Sequence, residues 1–182
     1  MKNVLLWLAV FTLGLMVFLF YNQQQTPTKQ AVVNATENWS PATEDVYLVE
    51  EFDGEWLTIF KNMHGIMIAR LARNWIGQWE IQDEQGNERT LASSNYPAPQ
   101  EQDFTWSGHE NEAKTSNYFG QILNPSITKI EVETSKNSFE EALIIDTGEA
   151  RFYLVQSDVA LFLPLHIRAF STSGELIYST VK

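Results

Sequence analysis

The run Val4 to Tyr21, VLLWLAVFTLGLMVFLFY, contains no charged side chain, and its only hydroxyls are those of Thr12 and Tyr21. At about 1.5 Å per residue such a helix covers roughly 27 Å, enough for the hydrocarbon core of a bilayer. Trp7 and Tyr21 fall near the two interfaces, where amphipathic rings anchor a span. A cleaved signal peptide is the competing assignment, but it has a shorter apolar region closed by a small-x-small site. Here Phe18, Leu19, Phe20, Tyr21, Asn22 and Gln23 close the run, and the nearest tolerable pattern, Val33-Asn34-Ala35, lies far downstream. The expectation is therefore an uncleaved single-pass anchor over residues 1–21, with a short cytoplasmic N-terminus and the rest of the chain outside the cytoplasm. Three residues before the span form no cytosolic module, so any inward signal needs a membrane partner.

Residues 22–43, NQQQTPTKQAVVNATENWSPAT, are rich in Gln, Asn and Thr and contain Pro27 and Pro41. This composition predicts a polar linker of coil character that holds the following domain off the membrane. The remaining residues, 44–182, are long enough for one domain, and 44% hydrophobic content in the whole chain supplies a core.

The absence of cysteine removes disulfide scaffolds, thiolate zinc sites, cysteine nucleophiles and a lipidated cysteine together. The chain carries 23 acidic against 12 basic side chains, a formal net charge of −11. Nucleic acid is not an expected partner, because the Lys/Arg surplus that neutralises phosphates is missing. Glu44, Asp45, Glu50, Glu51, Asp53 and Glu55 precede an acid-free stretch from Trp56 to Trp79 that holds Lys61, Arg70 and Arg73. Two strand faces paired across a hairpin account for this asymmetry, and a site for a cation or a basic partner is the alternative.

The domain reads as β throughout. Short runs at Val46–Phe52, Glu55–Asn62, Ile66–Leu71, Gln78–Asp83, Glu88–Ala92, Ile127–Thr134, Ala142–Asp146, Arg151–Gln156, Leu163–Ser171 and Glu175–Val181 are separated by turn chemistry such as Asp53-Gly54, Gly86-Asn87 and Ser173-Gly174. In Ile127–Thr134, Ile130 and Val132 point inward while Lys129, Glu131 and Glu133 point outward. The expected fold class is all-β, an antiparallel sandwich or open barrel, or two small β lobes. Between Ser93 and Ser126 the regular signals fail, although Tyr96, Phe104, Trp106, Tyr118 and Phe119 are there and Asp103–Ser107 suits a strand. This long aromatic segment is either a binding loop or a set of rings tucked onto the core.

The chemistry inventory is thin. His109, in Ser107-Gly108-His109-Glu110-Asn111-Glu112, lacks the second histidine of a metalloprotease helix, His64 sits in a Met-His-Gly turn, and His166 shares a strand face with Arg168. Asp83-Glu84-Gln85-Gly86-Asn87-Glu88 has a faint likeness to a calcium loop without its ligand spacing. No catalytic residue, metal site or cofactor is assigned. Trp106, His109, Tyr118 and Phe119 are the candidate binding residues. The expected function is a membrane-tethered extracytoplasmic binding or sensor module for a partner protein or envelope ligand. A cell-envelope hydrolase with an acidic/His site around His109 is the alternative.

The run Leu71-Ala72-Arg73-Asn74-Trp75-Ile76-Gly77-Gln78-Trp79, then Gly120-Gln121-Ile122-Leu123-Asn124-Pro125-Ser126-Ile127, Ala142-Leu143-Ile144-Ile145, Arg151-Phe152-Tyr153, Ile167-Arg168-Ala169-Phe170 and Gly174-Glu175-Leu176-Ile177-Tyr178, resembles small extracytoplasmic proteins of Bacillus-type Firmicutes that are membrane-anchored or lipidated and uncharacterised. The resemblance covers about residues 46–182. It implies an extracytoplasmic address and a β fold, and no activity. This chain departs from the lipidated members in having no cysteine, in keeping with a helix as its anchor.

Overall fold

The computed structural model describes residues 2–83, 85–99 and 101–180, without the side chains of Lys2, Asn3, Leu5 and Ala9. Glu84 in the acidic turn and Val181 at the expected end of the last strand lie outside the described residues. Among the described residues, helix α1 runs over Lys2–Asn22 and a short helix α2 over Lys29–Ala35, followed by thirteen strands. Over the described residues alone, no helix is long and apolar enough to cross a membrane.

The strands form three antiparallel sheets. In the first, β1 (Asp45–Phe52), β2 (Glu55–Lys61) and β3 (Gly65–Arg73) make a meander, and β4 (Trp79–Ile81) and β5 (Ala92–Asn95) both pair with β3. The middle sheet has the order β10 (Leu143–Asp146), β11 (Arg151–Ser157), β7 (Ser116–Ile122), β6 (Ser107–Glu110). The last has the order β13 (Leu176–Ser179), β12 (Ile167–Ser171), β8 (Ile127–Ser135), β9 (Ser138–Glu141).

Alternation along each strand stacks these sheets. Leu57, Ile59, Ile66 and Ile68 from one face of the first sheet meet Phe119, Phe152 and Leu154 from the middle one. The residues between them, Phe60, Met67, Ala69 and Leu71, turn to the opposite face and pack with Val32 of α2. The middle sheet is covered on both sides: Tyr118, Ile122, Tyr153 and Val155 pack against Ile130, Val132, Ile167 and Ala169 of the last sheet. All-β antiparallel architecture is thus present as expected. The arrangement is a three-sheet stack with α2 as a further cover.

Several elements differ from expectation. The segment 22–43 is not a plain coil: Thr28 caps α2 by accepting from the Ala31 N–H (3.2 Å), and Val32 and Thr36 are fully buried. The first strand does not alternate simply, since a bulge between Val46 and Leu48 sends both Tyr47 and Leu48 toward the middle sheet. The Glu88–Ala92 strand is absent, because Asp83 accepts from the Gln85 and Asn87 amides and turns the chain out of the ladder. It leaves β3 at Gln82, which donates to the Arg70 carbonyl, and rejoins the same edge at Leu91, which donates to the Ile68 carbonyl. The long Ser93–Ser126 segment holds β6 and β7. Within Asp103–Ser107, Phe104 makes an isolated bridge to Ile122 and Thr105 exchanges hydrogen bonds with Gln121. Gly120 is required there, because a Cβ would collide with the Thr105 carbonyl and lie 2.7 Å from the Tyr153 ring.

Candidate functional site

An open groove of about 750 Å³ lies between α2 and β4, lined by Asn34, Glu37, Asn38, Gln78, Trp79 and Glu88 among others. Its walls follow from the stacking of Val32 on the first sheet, which leaves the exposed Asn34, Glu37 and Asn38 along the rim. The floor is organised by aromatic and amide contacts. Trp79 packs edge-on against Trp56 (centroids 6.1 Å apart) and carries the Arg73 guanidinium 4.4 Å above its ring. Its indole N–H is buried and has no partner among the described residues. An unsatisfied buried donor of this kind costs about 1–3 kcal/mol. Glu80 is held by Asn74 Nδ2 (2.6 Å) and Gln82 Nε2 (2.8 Å), and Trp39 Nε1 donates to Glu88. Indoles, amides and carboxylates suit a ligand rich in hydrogen-bond donors and acceptors. Among the described residues, neither histidine, serine nor lysine lines this groove.

A second hollow, about 460 Å³, lies on the outer face of the last sheet and is lined by Glu133, Phe139, Phe162, His166 and Arg168 among others. Register brings its groups together: β8 pairs with β12 so that Ile167 faces Val132, and the Glu133 amide donates to the His166 carbonyl. The Glu133 carboxylate is buried, contacts His166 Nδ1 and accepts from the Asn137 amide (2.5 Å). The Asn137 hydrogen bond, aided by His166 and Arg168, holds the Glu133 carboxyl below its usual range against the opposing effect of burial. Arg168 stacks on the Phe139 ring at 3.3 Å. The loop that brings Phe162 and His166 here is pinned from β6 and β7. Glu110 accepts from the Leu161 amide (2.9 Å), and the Tyr118 hydroxyl accepts from the Phe162 amide (3.2 Å). Lys114 and then the Leu161 amide keep the Glu110 carboxyl below its usual range.

The four residues singled out from sequence do not form one site. Tyr118 and Phe119 are fully buried on opposite faces of β7, Tyr118 toward the last sheet and Phe119 stacked on Phe152 (5.9 Å, 14° between planes). They are core residues, and no loop presents them. Trp106 is half exposed, at 50%. His109 sits in β6 opposite Asn117, has a buried Nε2 without a partner among the described residues, and lines neither the α2–β4 groove nor the hollow on the last sheet. The Glu133–His166 pair went unseen because it depends on the β8–β12 register. The outward position of Glu133 in its strand and the strand face that His166 shares with Arg168 are the signals the sequence offers for it. The acidic turn at Asp83 is saturated by its own chain. Burial raises the Asp83 carboxyl, but hydrogen bonds from Asn87 and Gln85 outweigh this and hold it below its usual range. Among the described residues, no group of three His, Asp or Glu side chains is placed to hold a metal ion.

No protein-family model matches the chain, and neither a curated protein nor a solved structure does.

Proposed function

We propose that this chain is a membrane-tethered extracytoplasmic binding or sensor module that engages a partner protein or envelope ligand through the groove between α2 and β4. Val4–Tyr21 is the single span, and the sheet stack lies outside the cytoplasm, the address that the resemblance to extracytoplasmic Firmicutes proteins implies. One observation carries the proposal. The groove's Gln78 and Trp79 directly follow the hairpin tip on which the end of α1 rests, so tether and recognition surface share one hairpin. The amide and carboxylate side chains of the lining support binding of a ligand rich in hydrogen-bond donors and acceptors.

The test is photo-cross-linking in cells with tagged full-length protein, the photoreactive residue at Asn38 on the groove rim or at Lys136 beside the second hollow. The expected result is an adduct to one envelope component from Asn38, lost when Asn34→Trp fills the groove. The membrane fraction should retain the full-length mass after an alkaline wash. Silence from Asn38 in folded, abundant protein overturns the groove as the recognition face.

A second reading, an envelope hydrolase, draws on the Glu133–His166 contact, an acid/imidazole pair beside a hollow. It predicts turnover of a cell-wall fragment that is lost in His166→Gln and kept in Asn34→Trp.

A further inference from the structure

We propose that the tip of the β3–β4 hairpin, through Trp75, is a second membrane contact that seats the domain in the lipid–water interface of the bilayer α1 enters. The proposal rests on α1 being a membrane span.

Where α1 ends decides which part of the domain meets the lipid. Arg73 Nη1 donates to the Asn22 carbonyl (3.1 Å), and Nη2 donates to that of Gln25. Asn22 Nδ2 donates to the Ile76 carbonyl (3.4 Å) and Gln23 Nε2 to the Asn74 carbonyl (3.3 Å). Gly77 has φ +86°, and a Cβ on it would lie 2.7 Å from Asn22 Cβ, so the hairpin backbone lies directly against the helix end. The last apolar residues of α1, Phe20 and Tyr21, directly precede Asn22 and are exposed. The level of the hairpin tip is therefore the level at which the span leaves the hydrocarbon.

Trp75 is 84% exposed, more than any other large hydrophobic residue among those described. Its loop is built rather than loose. Asn74 Oδ1 accepts from the Ile76 amide (3.1 Å) and the Gln78 amide (2.9 Å), while Asn74 Nδ2 is fastened to Glu80 (2.6 Å). A rigid turn thus holds an indole in water at the one height where indoles favour the headgroup layer. The neighbouring β1–β2 turn sets the depth. Trp56 pairs with Leu71, so Asp53 and Glu51 lie at the same end of the sheet, and their charges keep the contact at headgroup level.

The absence of cysteine makes the test direct. Full-length Trp75→Cys and His64→Cys, at opposite ends of β3 and so roughly 30 Å apart, are labelled with an environment-sensitive fluorophore in phosphatidylcholine vesicles. Flotation after an alkaline wash is scored first. The expected result is floating protein whose probe at 75 is blue-shifted and quenched several-fold more by headgroup-proximal spin-labelled lipid than the probe at 64. As a probe-free check, intrinsic tryptophan quenching by shallow brominated lipid should fall in Trp75→Ala. Floating protein with equal quenching at 75 and 64, and no change in Trp75→Ala, overturns the contact while leaving the span intact. Protein that fails to float overturns both.

Discussion

The middle sheet and the last sheet are built from strands of similar length and differ in what covers them. β7 and β11 are buried on both faces, so consecutive residues such as Tyr118 and Phe119, or Phe152 and Tyr153, serve two different cores. β8 and β12 keep one face for water. There Lys129 bridges Glu131 (2.9 Å) and Glu141 (3.1 Å), Arg168 lies over Phe139, and His166 meets Glu133. Chemistry that depends on access belongs to the outer layers of such a stack. An aromatic pair in the middle layer is structural however inviting it looks in sequence.

The largest test of that contrast is Phe152→Ala. Its ring is fully buried between the first and middle sheets, and removal should cost about 3–5 kcal/mol in chemical denaturation. A loss below about 1 kcal/mol would mean that the first and middle sheets are not tightly packed. Tyr118→Ala should behave similarly and also free the Phe162 amide, loosening the loop that carries His166. Next comes Val32→Ala, which removes two buried methyl groups under α2 and should cost about 1.5 kcal/mol. No effect there would show that α2 adds nothing to the first sheet.

Glu133→Gln probes the last sheet through pH. The folded-state carboxyl titrates below its ordinary value of 4.5, so its contribution is complete above that value and is lost as pH falls through the lowered one. The melting temperature of wild type should therefore exceed that of Glu133→Gln at neutral pH, and the gap should close in acid. A constant gap would refute an ionised native Glu133. The smallest expected effect is that of Trp106→Ala, within about 0.5 kcal/mol, because half of the side chain is already in water. Trp106 and Tyr118, grouped together in sequence, should separate cleanly in one melting experiment.

The same contrast explains what could be read without coordinates. Ile127–Thr134 shows its inward Ile130 and Val132 because one face meets water and the period survives. Ser116–Ile122, SNYFGQI, shows no period because neither face does, and Gly120 answers to a backbone collision that no pattern announces. Helix α2 hides in a polar stretch because Val32 is the only fully buried residue of its short length, although Pro27 followed by Thr28 was a usable start signal. The groove joins residues of α2 to residues of β4, far apart in the chain, and the Glu133–His166 contact needs the β8–β12 register. Both sites are products of topology, which local sequence does not encode.

The detour between Gln82 and Leu91 has a consequence for how this domain could vary. Without it, the β4 register that sets Ile81 opposite Leu71 would run on until residue 84 stood opposite Ile68, the place that Ala92 occupies. The extra length is even, so the chain returns with every side chain on its proper face. Excising 83–90 would fuse Gln82 to Leu91 in register and leave one uninterrupted edge strand. The detour contributes Gly86 and Glu88 to the groove, so a change in its length or composition would reshape that wall while leaving the strands beneath unchanged.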